Sequence, residues 1–415
     1  MNILFVHEVD WLKKVVFDIH NLAESLSILG HRVYAIDYED TWRRGQFLGL
    51  GSLKTKEISG FSRAVPGASV CLRRPGFIKI PGVSRFSASF THYLEIQRTI
   101  REKRVDVIVL YSVPTNGLQT IHLARKFGIP VVFRSIDILH RLVRYPLLRP
   151  PTRFLERRVY SQVDAVFAIT PNHARYVISM GADPNKVKIL PLPIDTTVFR
   201  PLVDCSDVRQ RWGVGDSDQV LVFIGTLYEF SGLDEFIRVF PRICAVFPRT
   251  KLLIVGDGPQ RPRLDRLIGE LKLGGQVIIT GFQPYDTMPQ YINLATVCIN
   301  SFVNTPATED IFPGKIIQYI ACGKATVATP LLGVTSLIPN ESHGVVYANS
   351  IGDMADKVIS LLDSQEQRQK LGQAGIDYVR QVHDQQRIVR QLENQLLQLS
   401  RNTPHRKDDP RETRT

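Results

Sequence analysis

The sequence predicts an α/β protein of two doubly wound, Rossmann-like domains, and three observations carry the prediction. Short apolar runs of strand length alternate with helix-length amphipathic stretches from residue 3 onward, the pattern of parallel strands with helices on both faces. The alternation stops at residues 190–201 (LPLPIDTTVFRP), where three prolines bracket a stretch with no helical period, and then starts again. The chain has 415 residues, 44% of them apolar, enough for two large domains at roughly 100–200 residues each.

The first series opens as a βαβ unit: a strand at 3–6, a helix at about 15–29 stopped by Gly30, and a strand at 33–36. Strands follow at 105–111, 131–134, 165–169 and 187–189, with helices between them such as 116–126 and 172–180. Residues 46–85, rich in Gly, Pro and Ser, interrupt this rhythm and are expected to form loops or an excursion. The second series has strands at 220–224, 251–255, 277–280, 297–299, 326–328 and 344–347. Its helices are expected near 233–247, 260–272, 286–293, 314–321 and 351–362. The domains are therefore 1–195 and 196–380, followed by a helix within 381–400 and a polar tail, 401–415, expected to be disordered.

The net charge of +12 is concentrated in two stretches of the first domain. Residues 72–104 hold eight basic and two acidic side chains, and residues 134–158 hold seven and two. In the first stretch Phe77, Ile78, Ile80, Phe86, Phe90 and Tyr93 alternate with the charges, a mixture that suits an anionic membrane surface and equally fits a solvated basic face. No nucleic-acid-binding signature accompanies the charge, so a nucleic-acid partner is not expected. No apolar run is long enough to span a bilayer, and no charged leader precedes the opening MNILFVHEVDW. Five scattered cysteines show no paired spacing. A cytoplasmic protein, peripheral to the inner face of a membrane at most, is the expectation.

Ligands of open parallel sheets bind beyond the carboxyl ends of the strands, which directs attention to four loops of the second domain. Residues 225–232 (GTLYEFSG) bring Gly225, Thr226, Ser231 and Gly232 to the start of a helix, where backbone N–H groups favour an anion. An ordinary βα turn has the same composition. Gly256 opens a tight turn, GDGP, and Phe282 follows the third strand, placed to pack on a planar base or on the core. The fourth loop, TEDIFPGKIIQYIACGK at 308–324, is the most informative. Glu309 and Asp310 precede Pro313, and the N–H groups of Gly314 and Lys315 then start a helix that Lys315 charges positively. Such a loop suits a ligand that is both phosphorylated and polyhydroxylated; a capped amphipathic helix has the same spacing.

With this loop the chain resembles the GT-B glycosyltransferases, specifically the family 4, glycogen-synthase-like retaining group. The resemblance runs in order over residues 2–400 through LPLPIDTTVFRP, VFIGTLYEFSGLDEFI, LLIVGDGPQRPRL, IITGFQPYDTMPQYI and IFPGKIIQYIACGKATVATP. It implies two domains facing a central cleft and a final helix crossing back onto the first. A nucleotide diphosphate sugar would be the co-substrate, with no further cofactor and no metal. Gly225, Thr226, Ser231, Gly232 and Gly256 would border the donor phosphates and Phe282 the base. Glu309, Asp310, Gly314, Lys315 and Gln318 would hold the sugar and diphosphate. The first domain would present a glycan or lipid-linked acceptor, with Asp137, His7, Arg134 and His140 as candidates, and Asp137, Glu309 and Asp310 as the candidate catalytic groups. The chain departs from the family pattern in having Thr226 and Ser231 where an Arg and a Lys are usual, Gln318 where a second glutamate is usual, and His7-Glu8-Val9-Asp10-Trp11 where the first loop is glycine-rich. These departures keep two rival readings open, a nucleotide-sugar-binding protein without turnover and a GT-B epimerase.

Overall fold

The computed structural model describes residues 1–39, 51–80, 83–143 and 145–402. It divides into two units, residues 1–190 with the chain from Ile388 onward, and residues 191–387. The unit boundary falls five residues before the one expected from the prolines.

The first unit holds β1 (Asn2–Val6), β2 (Arg32–Ile36), β3 (Lys56–Phe61), β4 (Val70–Arg74), β5 (Val107–Leu110), β6 (Val131–Ser135), β7 (Ala165–Ala168) and β8 (Val187–Ile189). They form one sheet in the order β3-β4-β2-β1-β5-β6-β7-β8. Only β3 runs antiparallel, against β4. Strands buried on both faces need continuous apolar sequence, and β1, β5 and β7 supply it. The helix Gln385–Asn402 packs Ile388, Val389, Leu392 and Leu396 into this unit's core beside Ile3, Phe5 and Leu22.

The second unit holds β9 (Gln219–Ile224), β10 (Thr250–Val255), β11 (Val277–Gly281), β12 (Val297–Asn300), β13 (Thr326–Ala328) and β14 (Val345–Tyr347). The order β11-β10-β9-β12-β13-β14 is the doubly wound arrangement in which the winding reverses between β9 and β12, the switch point where such sheets bind ligands.

Three expectations need correction. Residues 46–85 are not all loop, because they contain β3 and β4, and β4 is buried. Its sequence VCLRR conceals this because Arg73 and Arg74 are themselves buried. Arg73 meets Glu95 at 2.8 Å, and Arg74 donates to the carboxylates of Asp10 and Asp37. The basic stretch 72–104 is therefore not a free basic face. Its Lys79 and Arg85 are also paired, with Glu39 and Glu8, and Phe77 is buried. Finally, three long helices, Ser84–Lys103, Arg149–Tyr160 and Gln365–Val382, escape the apolar periodicity. The first buries Ser84, Ala88, Thr91, His92, Glu95 and Thr99, and exposes Phe86, Phe90 and Leu94 at intervals of four. Ile96 and Ile100 on its C-terminal half are buried as well, so apolar residues stand on both faces and blur the period. The expected disorder of the tail from residue 403, like the part of the excursion at residues 46–50 and 81–82, lies outside the described residues.

Candidate functional site

At the switch point of the second unit, the loop after β9 and the loop after β10 press backbone on backbone. Gly225 N–H donates to the Val255 carbonyl at 2.9 Å, Leu227 N–H to the Asp257 carbonyl at 3.0 Å, and Gln260 N–H to the Leu227 carbonyl at 3.0 Å. A side chain at Gly256 would stand 2.0 Å from the Gly225 carbonyl oxygen, and its φ of +149° is one that side-chain-bearing residues avoid. Gly225, at φ +144°, has the Lys315 ammonium against it: a Cβ there would lie 2.8 Å from Nζ.

Lys315 sits in the first turn of the helix Gly314–Ala321. Its ammonium stands 3.8 Å from the ring centre of Phe223 in β9 and 4.5 Å from that of Phe302 just beyond β12. It pairs with no carboxylate among the described residues. Aromatic faces attract a cation, but they do not replace water, and desolvation pushes the Lys315 pKa well below its usual value. The helix is fixed from beneath by Tyr319, whose buried hydroxyl accepts from the Ile224 N–H at 2.7 Å. Gln318 lies one turn on from Lys315 and on the same side of the helix. The result is a cation without a counter-ion, beside a glycine loop, at the end of the sheet where an anionic ligand belongs.

Other expected donor residues divide. Gly232 opens the helix Leu233–Val246 with the Ser301 carbonyl close against it. Thr226 is partly exposed beside Gly225. Phe282 is 53% exposed at the end of β11. Ser231 does not face a ligand: it is fully buried, accepts from Tyr228 N–H and donates to the Thr226 carbonyl, so it holds the turn together. Glu309 and Asp310 are partly buried, and their carbonyl oxygens lie against Gly333, which ties this loop to the segment after β13. Composition gave no hint of Phe223, Phe302 or Tyr319, because apolar residues within strands and helices read as core. Asn300, at the end of β12, is wholly buried with neither amide atom partnered among the described residues.

At the corresponding switch of the first unit, between β1 and β5, an internal carboxylate fills the place of an anion. Glu8 accepts from the N–H groups of Thr115 and Asn116 at 2.7 and 2.8 Å, just ahead of the helix Gly117–Phe127. That helix start is thereby neutralised. His7 is buried, and desolvation lowers its pKa to about 3. Its neutral ring accepts from Val9 N–H at Nδ1, which puts the proton on Nε2, where no acceptor stands among the described residues. Asp137 is partly buried, and burial raises its carboxyl pKa while Lys14 opposes the shift. Arg134 is corrected from its expected role: it is 1% exposed and donates two 2.9 Å bonds to Asp18, so its charge is taken up inside the sheet. His140 holds Glu156 at 2.6 Å in a groove between helices. No hydrogen bond joins His7, Asp137 and His140 among the described residues.

Two sheets of this order, with a glycine loop and a basic helix start at the second switch point, define the GT-B class. Solved structures agree over nearly the whole chain. Sucrose-phosphate synthase from Thermosynechococcus elongatus matches with a TM-score of 0.74 at 16% identity, covering 96% of this chain and 98% of that one. The Anabaena protein HepE in complex with UDP-glucose matches with a TM-score of 0.70 at 16% identity, covering 96% and 100%. The family profile described as glycosyl transferases group 1 matches residues 206–378, and the glycosyl transferase 4-like domain matches residues 16–193. The chain belongs to the group 1, family 4 glycosyltransferases, a retaining family. It is 26% identical over 261 residues to D-inositol 3-phosphate glycosyltransferase of Acidothermus cellulolyticus, covering 56% of each. It is 28% identical over 169 residues to alpha-D-kanosaminyltransferase of Streptomyces kanamyceticus, covering 40% of this chain and 42% of that protein. The chain thus spans about half the length of these curated relatives.

Proposed function

We propose that the chain transfers a sugar from a nucleoside diphosphate sugar to an acceptor hydroxyl with retention of anomeric configuration. The observation that carries this reading is the Lys315 ammonium, unpaired and desolvated beside Gly225 at the β9/β12 switch. In the reaction the bond from the anomeric carbon to the diphosphate breaks, and a bond to the acceptor oxygen forms on the same face. The acceptor proton leaves to a base. The diphosphate gains charge as it departs, so a group that stabilises it more in the transition state than in the ground state accelerates the step. Lys315 and the N–H groups of Gly314 and Lys315 serve that purpose, and Glu309 and Asp310 bind sugar hydroxyls. The second unit holds the donor and the first the acceptor, with Asp137, whose raised pKa suits proton transfer, as the candidate base.

The acceptor is a lipid-linked or polysaccharide precursor met at an anionic membrane. The exposed row of Phe86, Phe90 and Leu94 supports a membrane-proximal site. No helix among the described residues is long and apolar enough to cross a bilayer. The test is incubation with a panel of UDP-, GDP- and ADP-sugars, with and without candidate acceptors, followed by proton NMR of the anomeric centre. Acceptor-dependent product with the donor's configuration is expected. An isomerised sugar without acceptor would identify an epimerase, and nucleotide binding with no turnover in any mixture would identify a binding protein.

A further inference from the structure

The helix Arg149–Tyr160 and the end of the helix Pro171–Ser179 enclose a groove of about 550 Å³ on the first unit. Arg149, Arg153 and Arg157 line it, together with His140, Phe154 and Met180. The three arginines recur every fourth residue and so form one stripe along the helix. None of them pairs with a carboxylate among the described residues. The acidic residue of this helix, Glu156, is wholly buried and is engaged by His140 at 2.6 Å and by the N–H groups of Leu139 and His140.

This arrangement disfavours the isolated protein in two ways. Like charges at i,i+4 repel one another, and Arg149 is a cation in the first turn of the helix, where the peptide dipoles prefer an anion. An anionic partner reverses both terms. The apolar residues on and beside the stripe show what kind of anion: Phe154, in the groove lining, is 60% exposed, and Leu147 and Leu148, immediately before Arg149 in the chain, are 87% and 51% exposed. Bulky apolar side chains in water beside a row of arginines match the boundary between phosphate headgroups and acyl chains. They do not match a small soluble anion, which would leave them wet. The basic stretch 72–104, by contrast, is largely compensated within the fold.

We propose that this groove binds the phosphate headgroup of an anionic phospholipid, with Leu147, Leu148 and Phe154 entering the acyl boundary, and that it docks the first unit on the membrane. The inference rests on the membrane-borne acceptor proposed above and assigns its landing surface to residues 147–157. The stripe supplies the charge that the row Phe86, Phe90 and Leu94 lacks.

The experiment is flotation of the full chain with phosphatidylcholine vesicles, with and without phosphatidylglycerol. Wild type should bind only the anionic vesicles. The triple variant Arg149→Gln, Arg153→Gln, Arg157→Gln should bind about a hundredfold more weakly, at roughly 1 kcal/mol per basic residue near an anionic surface. The triple lysine variant should retain binding, and Leu147→Ser with Phe154→Ser should weaken it without altering the fold. Glycerol phosphate in solution should not compete. The inference is overturned if the glutamine triple binds like wild type, if glycerol phosphate displaces the protein while the serine pair is silent, or if wild type ignores lipid charge. Binding lost in Phe86→Ser with Phe90→Ser but kept in the glutamine triple would overturn the groove and leave the membrane-borne acceptor standing. Donor turnover on a water-soluble acceptor, measured with every variant, reports the transferase reading separately.

Discussion

Replacing Lys315 by Met probes the donor site directly, because two opposite effects are expected from one change. The ammonium lies over Phe223 and Phe302 without a counter-ion, and burial depresses its pKa. A depressed folded pKa means that the unfolded chain binds more protons, so stability rises with pH through the interval between the folded pKa and the usual lysine value near 10.5. Met keeps the aliphatic stem and removes the charge. The ligand-free variant should therefore melt higher than wild type and lose that part of the pH slope. Diphosphate binding should suffer, since a hydrogen bond to a charged group contributes about 1.5–3 kcal/mol, or about tenfold to 150-fold in Kd. Calorimetry with UDP, GDP and ADP measures the loss. Affinities unchanged within about twofold, together with a lower melting temperature, would refute the reasoning and make Lys315 a structural residue.

Other perturbations separate binding, catalysis and stability. Asp137→Asn should raise stability, because a carboxyl with a raised pKa loses folding free energy as pH climbs from its unfolded value through its folded one; urea melts at neutral pH should show the gain while transfer activity falls, and unaltered activity would remove Asp137 from the mechanism. Gly256→Ala places a methyl 2.0 Å from the Gly225 carbonyl at φ +149° and should cost about 1–3 kcal/mol in strain, with nucleotide binding lost on calorimetry even where the circular dichroism spectrum is retained. Arg134→Met removes the guanidinium from the buried Asp18 carboxylate and leaves it the Tyr111 hydroxyl at 2.9 Å; it should destabilise by about 3–5 kcal/mol, read as a lower urea midpoint. Ser231→Ala, which deletes the hydroxyl between Tyr228 and Thr226, should shift stability by about 1 kcal/mol and alter nucleotide affinity only through the loop.

The sheet topology was legible because fully buried parallel strands need unbroken apolar runs, and β1, β5, β9, β10 and β12 have them. The switch-point loops were legible because glycine and a helix-starting lysine are hard to conceal. What escaped did so for identifiable reasons. β4 reads as basic because its two arginines are buried against Asp10, Asp37 and Glu95. The helix Ser84–Lys103 buries Ile96 and Ile100 among small and polar residues while exposing Phe86 and Phe90, so its apolar residues mark no single face. Glu8 reads as a surface carboxylate, yet it caps the N–H groups of Thr115 and Asn116 in a contact more than a hundred residues away in sequence. Arg134 was expected at a ligand from its charge and the family resemblance, and Ser231 from its place in the 225–232 loop. Their partners, Asp18 and Thr226, are visible only in three dimensions.

The central claim is that the nucleoside diphosphate binds at the β9/β12 switch of the second unit and not at the β1/β5 switch of the first, where Glu8 already stands. Amide hydrogen exchange of the full chain with and without saturating nucleoside diphosphate tests it most directly. Slowed exchange confined to residues 225–232, 256–260 and 314–318 is the predicted result. Protection centred on residues 7–12 and 112–118, with those three segments unchanged, would contradict it.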